Sequence, residues 1–126
     1  MSAAVLLAAA VDAVCDVDQA VPYQPTRLSP SLAYVEPADP WKQPDESYGG
    51  VSVGLVVVLV AGSTDPVEAL GWLDVQSSAL MVSAPVDVGD DVVSAVSVGA
   101  PIRLTDDGGG VFFACRVEFS RFTTGD

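Results

Sequence analysis

The most informative part of the chain is 51-VSVGLVVVLV-60, an almost unbroken run of valine and leucine. Successive side chains of a strand point to opposite faces, which gives two apolar sets: Val53, Leu55, Val57 and Leu59 on one face, and Val56, Val58 and Val60 on the other. A strand that is apolar on both faces is buried on both faces. We therefore predict a strand with helices on one face, and with the other face covered by more of the chain or by another subunit.

A helix is predicted at the N-terminus, over residues 1–16. Alanine and leucine dominate this segment, which contains neither glycine nor proline, and Ser2 is a suitable N-cap. The segment is apolar on nearly every side until Asp12. A surface helix of a monomer buries only one stripe of side chains, so the surplus, including Leu6, indicates a second burial partner.

A central helix, predicted over residues 65–82, has clear start signals. Asp65 can cap the helix, Pro66 suits the first helical position, and Glu68 follows Asp65 at capping-box spacing. Leucines then recur at helical spacing, and the helix is expected to end before Pro85.

The segment 22–50 contains six prolines, which exclude a helix through it. We predict a short strand over 31–35 and then a long Pro-rich loop over 37–50, which carries Trp41 and Tyr48. Long loops in compact domains usually have a function. Two large aromatic side chains among prolines favour a loop that contacts another molecule.

Two further strands close the chain, over 96–104 and 111–122, joined by a hairpin turn at 105–110. Pro101 indicates an edge position or a bulge in the first of them. The predicted fold class is α+β, in one domain over residues 1–126. It has a mostly antiparallel sheet of four to five strands, with the N-terminal helix and the central helix packed on one face.

The charge is strongly negative. Five Lys and Arg residues oppose 17 Asp and Glu residues, which gives a formal net charge of −12. Such a surface repels phosphate backbones and anionic lipids, so we expect no specific nucleic-acid or membrane binding. It remains compatible with a wall along which DNA slides without sticking.

The sequence offers no catalytic, cofactor-binding or metal-binding residues that we would name. The chain has no histidine, which removes the usual general base and most zinc sites. The acidic turn with Asp87, Asp90 and Asp91 lacks the pattern of a calcium loop. Cys15 and Cys115 are expected to be small core residues, because no CxxC spacing or activating histidine accompanies them.

Neither of the two most apolar segments has the features of a targeting or membrane segment. Residues 3–10 have no preceding Lys or Arg and are followed by acidic residues. Residues 51–61 are shorter than the roughly 20 apolar residues that a membrane helix needs. We expect a soluble, intracellular protein with reduced cysteines.

The order of elements resembles the tail terminator family of long-tailed (siphovirus-type) bacteriophages, particularly those that infect actinobacteria. Four segments carry the resemblance and together cover most of the chain: Leu32–Pro37 with Trp41 beyond it, Val53–Val60, Pro66–Leu73, and the closing hairpin to Phe122–Asp126. None of them is a catalytic signature, so the resemblance rests on layout.

The resemblance implies a structural role and no enzymatic activity. Members of this family form a hexameric ring that caps the finished tail tube and stops polymerisation of the major tail tube protein. The ring also presents the surface on which the head–tail stopper, a neck protein, docks, and DNA passes through its centre. The protein would then be assembled in the host cytoplasm and reside in the tail or neck of the virion, without a cofactor.

The residues that we expect at interfaces between ring subunits or with the tube are Trp41, Tyr48, Val56, Val58, Val60 and Leu6. Three alternative functions stay open. The chain could be another neck or tail component, such as a stopper, an adaptor or a tube subunit. It could be a small dimeric enzyme or binding domain, which needs a pocket with convergent polar groups. An acidic DNA mimic is the third, although 17% charged residues is low for one.

Overall fold

The structure, a computed structural model, describes residues 2–25, 28, 31–44, 50–89, 91–106 and 108–124. It contains two α-helices, α1 (Ala3–Val14) and α2 (Pro66–Val82). The strands are β1 (Gln19–Val21), β2 (Leu32–Pro44), β3 (Val51–Val60), β4 (Val86–Asp87), β5 (Val92–Val93), β6 (Ala95–Val98), β7 (Ile102–Thr105), β8 (Val111–Phe119) and β9 (Phe122–Thr124). The α+β class predicted from the sequence is confirmed.

The helices begin at the residues that their sequences indicate. Ser2 Oγ accepts the amide hydrogen of Val5, and the Asp65 carboxylate accepts that of Val67, with Pro66 in the first turn. The reciprocal half of the predicted capping box is absent. Glu68 accepts a hydrogen bond from Ser63 Oγ, and the same Ser63 oxygen accepts the amide hydrogen of Asp65.

The main sheet is mixed and has seven strands, in contrast to the predicted antiparallel sheet of four to five strands. Its order is β1-β2-β3-β8-β6, with β7 also paired to β8 and β9 also paired to β3. The pair β1–β2 is parallel, and the other pairs of this sheet are antiparallel. The higher count arises because the predicted strands 96–104 and 111–122 are each interrupted, at residues 99–101 and 120–121, and because the short strand β1 was not predicted.

The predicted loop over 37–50 is wrong in its first half, because β2 continues to Pro44 and pairs with β3 as far as Val51. The strand tolerates its prolines because it lies at an edge. β1 pairs only with residues 32–34, and beyond them no other described strand lies along the outer side of β2. At an edge, the missing amide hydrogen of proline interrupts no ladder.

One face of the sheet and both helices share the larger buried cluster. Leu7 and Val11 of α1, together with Leu73 and Leu80 of α2, belong to this cluster. From the sheet it contains Val53, Leu55, Val57 and Leu59 of β3, and Cys115, Val117 and Phe119 of β8. No helix in the described residues is long and apolar enough to cross a membrane.

A smaller cluster buries the other face of β3 within the same chain. Val56, Val58 and Val60 are buried there with Leu28, Leu32, Tyr34 and Ala114. The Asp106 carboxylate accepts the amide hydrogen of Leu28 at 3.1 Å, which fastens the segment before β2 to the β7–β8 hairpin. Of the two covers that the sequence left open for this face, more of the chain is therefore the correct one for these three valines.

Candidate interaction surfaces at the two sheet edges

The described titratable groups contact mainly the backbone and each other in pairs. Among the described residues, no group of three or more His, Cys, Asp or Glu side chains could hold a metal ion. Asp91, in the turn between β4 and β5, accepts the amide hydrogens of Val92 and Thr123. Its carboxylate therefore organises the local backbone.

Both cysteines are free and buried, as the sequence predicts. Burial raises the pKa of each thiol from 9.0 to about 11, and the nearby Cys115 adds to the effect on Cys15. Cys15 Sγ lies 3.7 Å from the backbone oxygen of Gln76, whose side chain accepts the amide hydrogen of Asp16 at 2.8 Å. These contacts join the end of α1 to α2, and both thiols stay protonated near neutral pH.

The outer edge of the sheet at β2 carries a large bulge. Pro37 pairs with Leu55 and Lys42 pairs with Val53, so residues 38–41 of β2 lie opposite the single residue Gly54 of β3. We call residues 38–41 the β2 bulge. The extra residues project a segment of backbone away from an otherwise regular ladder.

Arg121, in the short break between β8 and β9, holds the β2 bulge in place. Its Nη1 donates to the Pro40 carbonyl at 2.8 Å and its Nη2 to the Trp41 carbonyl at 3.2 Å. The same guanidinium donates to the side-chain and backbone oxygens of Ser52 at 2.9 and 3.0 Å. One arginine therefore ties the bulge to β3.

Gly54 provides the space for this arrangement. A Cβ atom at this position would lie 2.6 Å from Arg121 Nη1 and 2.9 Å from the Ala38 Cβ. Both separations are shorter than van der Waals contact allows, so a side chain here would displace the guanidinium, the bulge or both.

The β2 bulge presents an aromatic side chain beside a positive charge. The Trp41 side chain is 49% exposed. Lys42 Nζ lies 4.3 Å from the centroid of the indole ring, within the range of a cation–π contact. Lys42 is the only lysine in the sequence.

A groove of about 760 Å³ lies next to the bulge on the open part of the sheet. Its floor contains a salt bridge between Arg116 and Glu36, 2.9 Å long. Glu118, also in the groove, accepts a hydrogen bond from Ser97 Oγ. The burial of Tyr34, and next the negative charge of Glu36, raise the pKa of that tyrosine to about 12, although Arg116 acts in the opposite direction.

The opposite edge of the sheet, formed by β6 and β7, exposes three large apolar side chains together with Ser97, Arg103 and Thr105. Val96, Val98 and Ile102 are 55%, 37% and 38% exposed there. Both strands pair with β8 on one side, and no other described strand pairs with their outer side. This matches the edge position that Pro101 indicates.

Between this edge and α2 lies a second groove of about 280 Å³, which we call the α2 groove. It is lined by Leu70, Leu73, Asp74, Ser77, Val98, Gly99, Pro101 and Cys115. Its walls are mainly apolar, and the exposed Asp74 provides a negative charge.

The residues predicted at interfaces differ in their exposure. Trp41 is exposed on the bulge, and Leu6 is partly buried on α1. Val56, Val58 and Val60 are buried inside the chain, so they do not form a surface for another subunit; the chain itself provides their cover. Tyr48 lies outside the described residues.

Sequence reasoning missed Arg121, the β2 bulge and the α2 groove. A lone glycine inside an apolar strand commonly marks a bulge or a close backbone approach, so Gly54 was an available signal for the first two. No comparable local signal exists for the groove, because its residues come from three separate elements.

The chain matches no protein-family model, no curated protein and no solved structure.

Proposed function

We propose that this protein is a tail terminator: a ring-forming structural protein that caps the phage tail tube, stops its polymerisation and offers a docking surface to the neck. The observation that carries the proposal is that, in the described residues, the sheet ends in two edges of different character. One edge carries the β2 bulge with Trp41, next to Lys42, and the other exposes Val96, Val98 and Ile102 of β6 and β7.

Two different edges suit a ring. In a head-to-tail ring, every subunit uses one surface toward the neighbour ahead and a different surface toward the neighbour behind. In a two-fold dimer, by contrast, both subunits use the same surface. An apolar edge strand is also a surface that proteins normally protect from other chains unless it is part of an interface.

The charge supports the same role. Six copies, each with a formal charge of −12, would carry −72 in total. Where some of this charge faces the bore, it repels the phosphates of DNA, which then passes without binding to the wall. The major tail tube protein and the head–tail stopper are the partners that this role requires.

A small binding domain is the second candidate, and the groove beside the bulge favours it. Its volume of about 760 Å³ is suitable for a small ligand. However, Arg116 already pairs with Glu36, and four of the five N–H groups of the Arg121 guanidinium donate to oxygens of the chain. Both arginines that line the groove are therefore largely committed to contacts within the chain.

The test is assembly. Purified protein should form rings, visible by negative-stain electron microscopy, and should halt elongation when it is added to growing tubes of the cognate tail tube protein. Tubes that continue to lengthen at saturating concentrations of the protein would contradict a terminator role. Rings without any effect on tubes would point to another neck component.

A further inference from the structure

We infer that the β2 bulge of one copy docks in the α2 groove of the next copy, with Trp41 as the inserted side chain and Lys42 facing Asp74. This inference rests on the proposed function, because it assigns the contact through which ring subunits join. It commits the α2 groove to one occupant, a second copy of this chain.

Lys42, next to the β2 bulge, and Asp74, at the α2 groove, have opposite charges. Lys42 lies against the Trp41 ring, and no carboxylate of the described residues lies within ion-pair distance of its ammonium group. The Asp74 carboxylate likewise has neither a hydrogen-bond partner nor an ion-pair partner among the described residues. In a protein with a net charge of −12, copies repel one another, so the sole lysine next to an exposed indole is a distinctive feature.

Contacts within its own chain hold the β2 bulge in a fixed position. Arg121 hydrogen-bonds the carbonyl groups of Pro40 and Trp41, so the bulge is fixed before it meets a partner. A preorganised aromatic anchor loses little conformational freedom on binding, and tryptophan is enriched among the side chains that dominate interface energies.

The β2 bulge and the α2 groove lie at opposite edges of the sheet. The bulge is on β2 and the α2 groove borders β6, and β3 and β8 lie between these strands. Three strand spacings separate the two edges by about 14 Å. Trp41 therefore cannot fill the groove of its own chain, whereas a second copy can bring its bulge there. Repeated contacts of this head-to-tail kind either close into a ring or extend as a filament.

Cysteine cross-linking tests the contact directly. One preparation carries Lys42→Cys and another carries Asp74→Cys, and the two are mixed with a short bis-maleimide reagent. We expect a cross-linked dimer in the mixture that neither variant forms alone. The native cysteines are buried with a raised pKa, so they do not compete for the reagent.

The matched control is Asp12→Cys, which replaces an exposed helical aspartate outside both surfaces. Mixed with Lys42→Cys, it should give no dimer above background. Equal yields with Asp12→Cys and Asp74→Cys would overturn the proposed contact, as would a lack of cross-linking at high protein concentration.

Sedimentation velocity provides a second measurement, of the self-association of substituted proteins. We expect Trp41→Ala to weaken self-association by about 30-fold or more. Asp74→Lys should weaken it about tenfold, and Asp74→Lys combined with Lys42→Asp should restore most of the loss. If the loss of association free energy in the double variant equals the sum of the losses in the two single variants, the Lys42–Asp74 pairing is contradicted.

The cysteine variants also distinguish a failure of this docking contact from a failure of the proposed terminator function. A chain with both Lys42→Cys and Asp74→Cys should give a closed covalent ring of fixed size. Open filaments would support the docking contact and contradict a ring. Rings of wild-type protein in which the two cysteine positions do not cross-link would overturn the contact and leave the terminator role standing.

Discussion

At the scale of single residues, Gly54 and Gly71 differ in the space available for a side chain. Gly54 lies under the β2 bulge, where an added Cβ would lie 2.9 Å from the Ala38 Cβ. Gly71 lies in the exposed part of α2, and a Cβ there would meet no atom within 4 Å. The same change, glycine to alanine, should therefore have opposite consequences at the two positions.

We expect Gly54→Ala to lower the free energy of unfolding by about 1–3 kcal/mol, because the bulge and Arg121 must shift to accept the methyl group. Gly71→Ala is the matched control and should raise it by about 0.5–1 kcal/mol, because alanine is the better helix former. Urea unfolding measures both changes. An unchanged or more stable Gly54→Ala variant would show that the bulge does not depend on this close approach.

The buried thiols make stability depend on alkaline pH. The pKa of Cys15 and of Cys115 rises from 9.0 to about 11 in the folded chain. The folded state therefore holds these protons more tightly than the unfolded state does. This contribution to stability is complete below pH 9 and is lost progressively as the pH rises toward 11.

Urea unfolding at a series of pH values should show a decline in stability that begins near pH 9. A variant with Cys15→Ala and Cys115→Ala should lose this first part of the decline. It should keep the later part that Tyr34 causes, since the pKa of that hydroxyl rises from 10.0 to about 12. Identical pH profiles for the variant and the wild type would contradict the assignment to the thiols.

At the scale of the elements, the position of the β2 bulge depends on an arginine that lies between β8 and β9. Arg121 donates to the carbonyl groups of Pro40 and Trp41 and also to Ser52. Without it, the carbonyl groups of the bulge would bond to water, and the bulge would lose its fixed position relative to β3.

We expect Arg121→Ala to speed amide hydrogen exchange in residues 42–43 and 51–53, where β2 pairs with β3 beyond the bulge. The matched control is Arg103→Ala, because the Arg103 guanidinium lies over the Phe113 ring and away from the bulge. Exchange in those segments should not change in the control. If both variants exchange alike, Arg121 is not what holds the bulge.

The sequence predicted the elements whose signals are local. The alternation in β3 placed Val57 and Val58 on opposite faces, and Asp65 with Pro66 marked the start of α2. These features depend on side-chain direction and on capping, which neighbouring residues determine.

Features that depend on distant pairing could not be predicted in the same way. The prolines of β2 suggested a loop, but pairing with β3 extends the strand to Pro44, and the edge position makes the prolines tolerable. The parallel strand β1 has only three residues, too few for a recognisable pattern. Trp41, which was predicted at an interface, is exposed, whereas Val56, Val58 and Val60 are covered by Leu28 and Tyr34, which sequence alone did not place there.

At the scale of the whole molecule, the strong negative charge limits the surfaces through which copies of the chain can associate. A chain with 17 acidic and five basic residues resists association through most of its surface. We therefore propose that copies associate where charge is low or opposite, at the β2 bulge and at the α2 groove beside β6 and β7. Self-association through these two different surfaces would give a directional, head-to-tail assembly.

The most direct test of the central claim is size-exclusion chromatography with multi-angle light scattering over a concentration series, followed by negative-stain imaging of the largest species. We predict a closed ring of six subunits with a central hole, and a Trp41→Ala variant that elutes as a folded protomer. A protein that remains monomeric at every concentration, or that stops at a two-fold dimer, would contradict it.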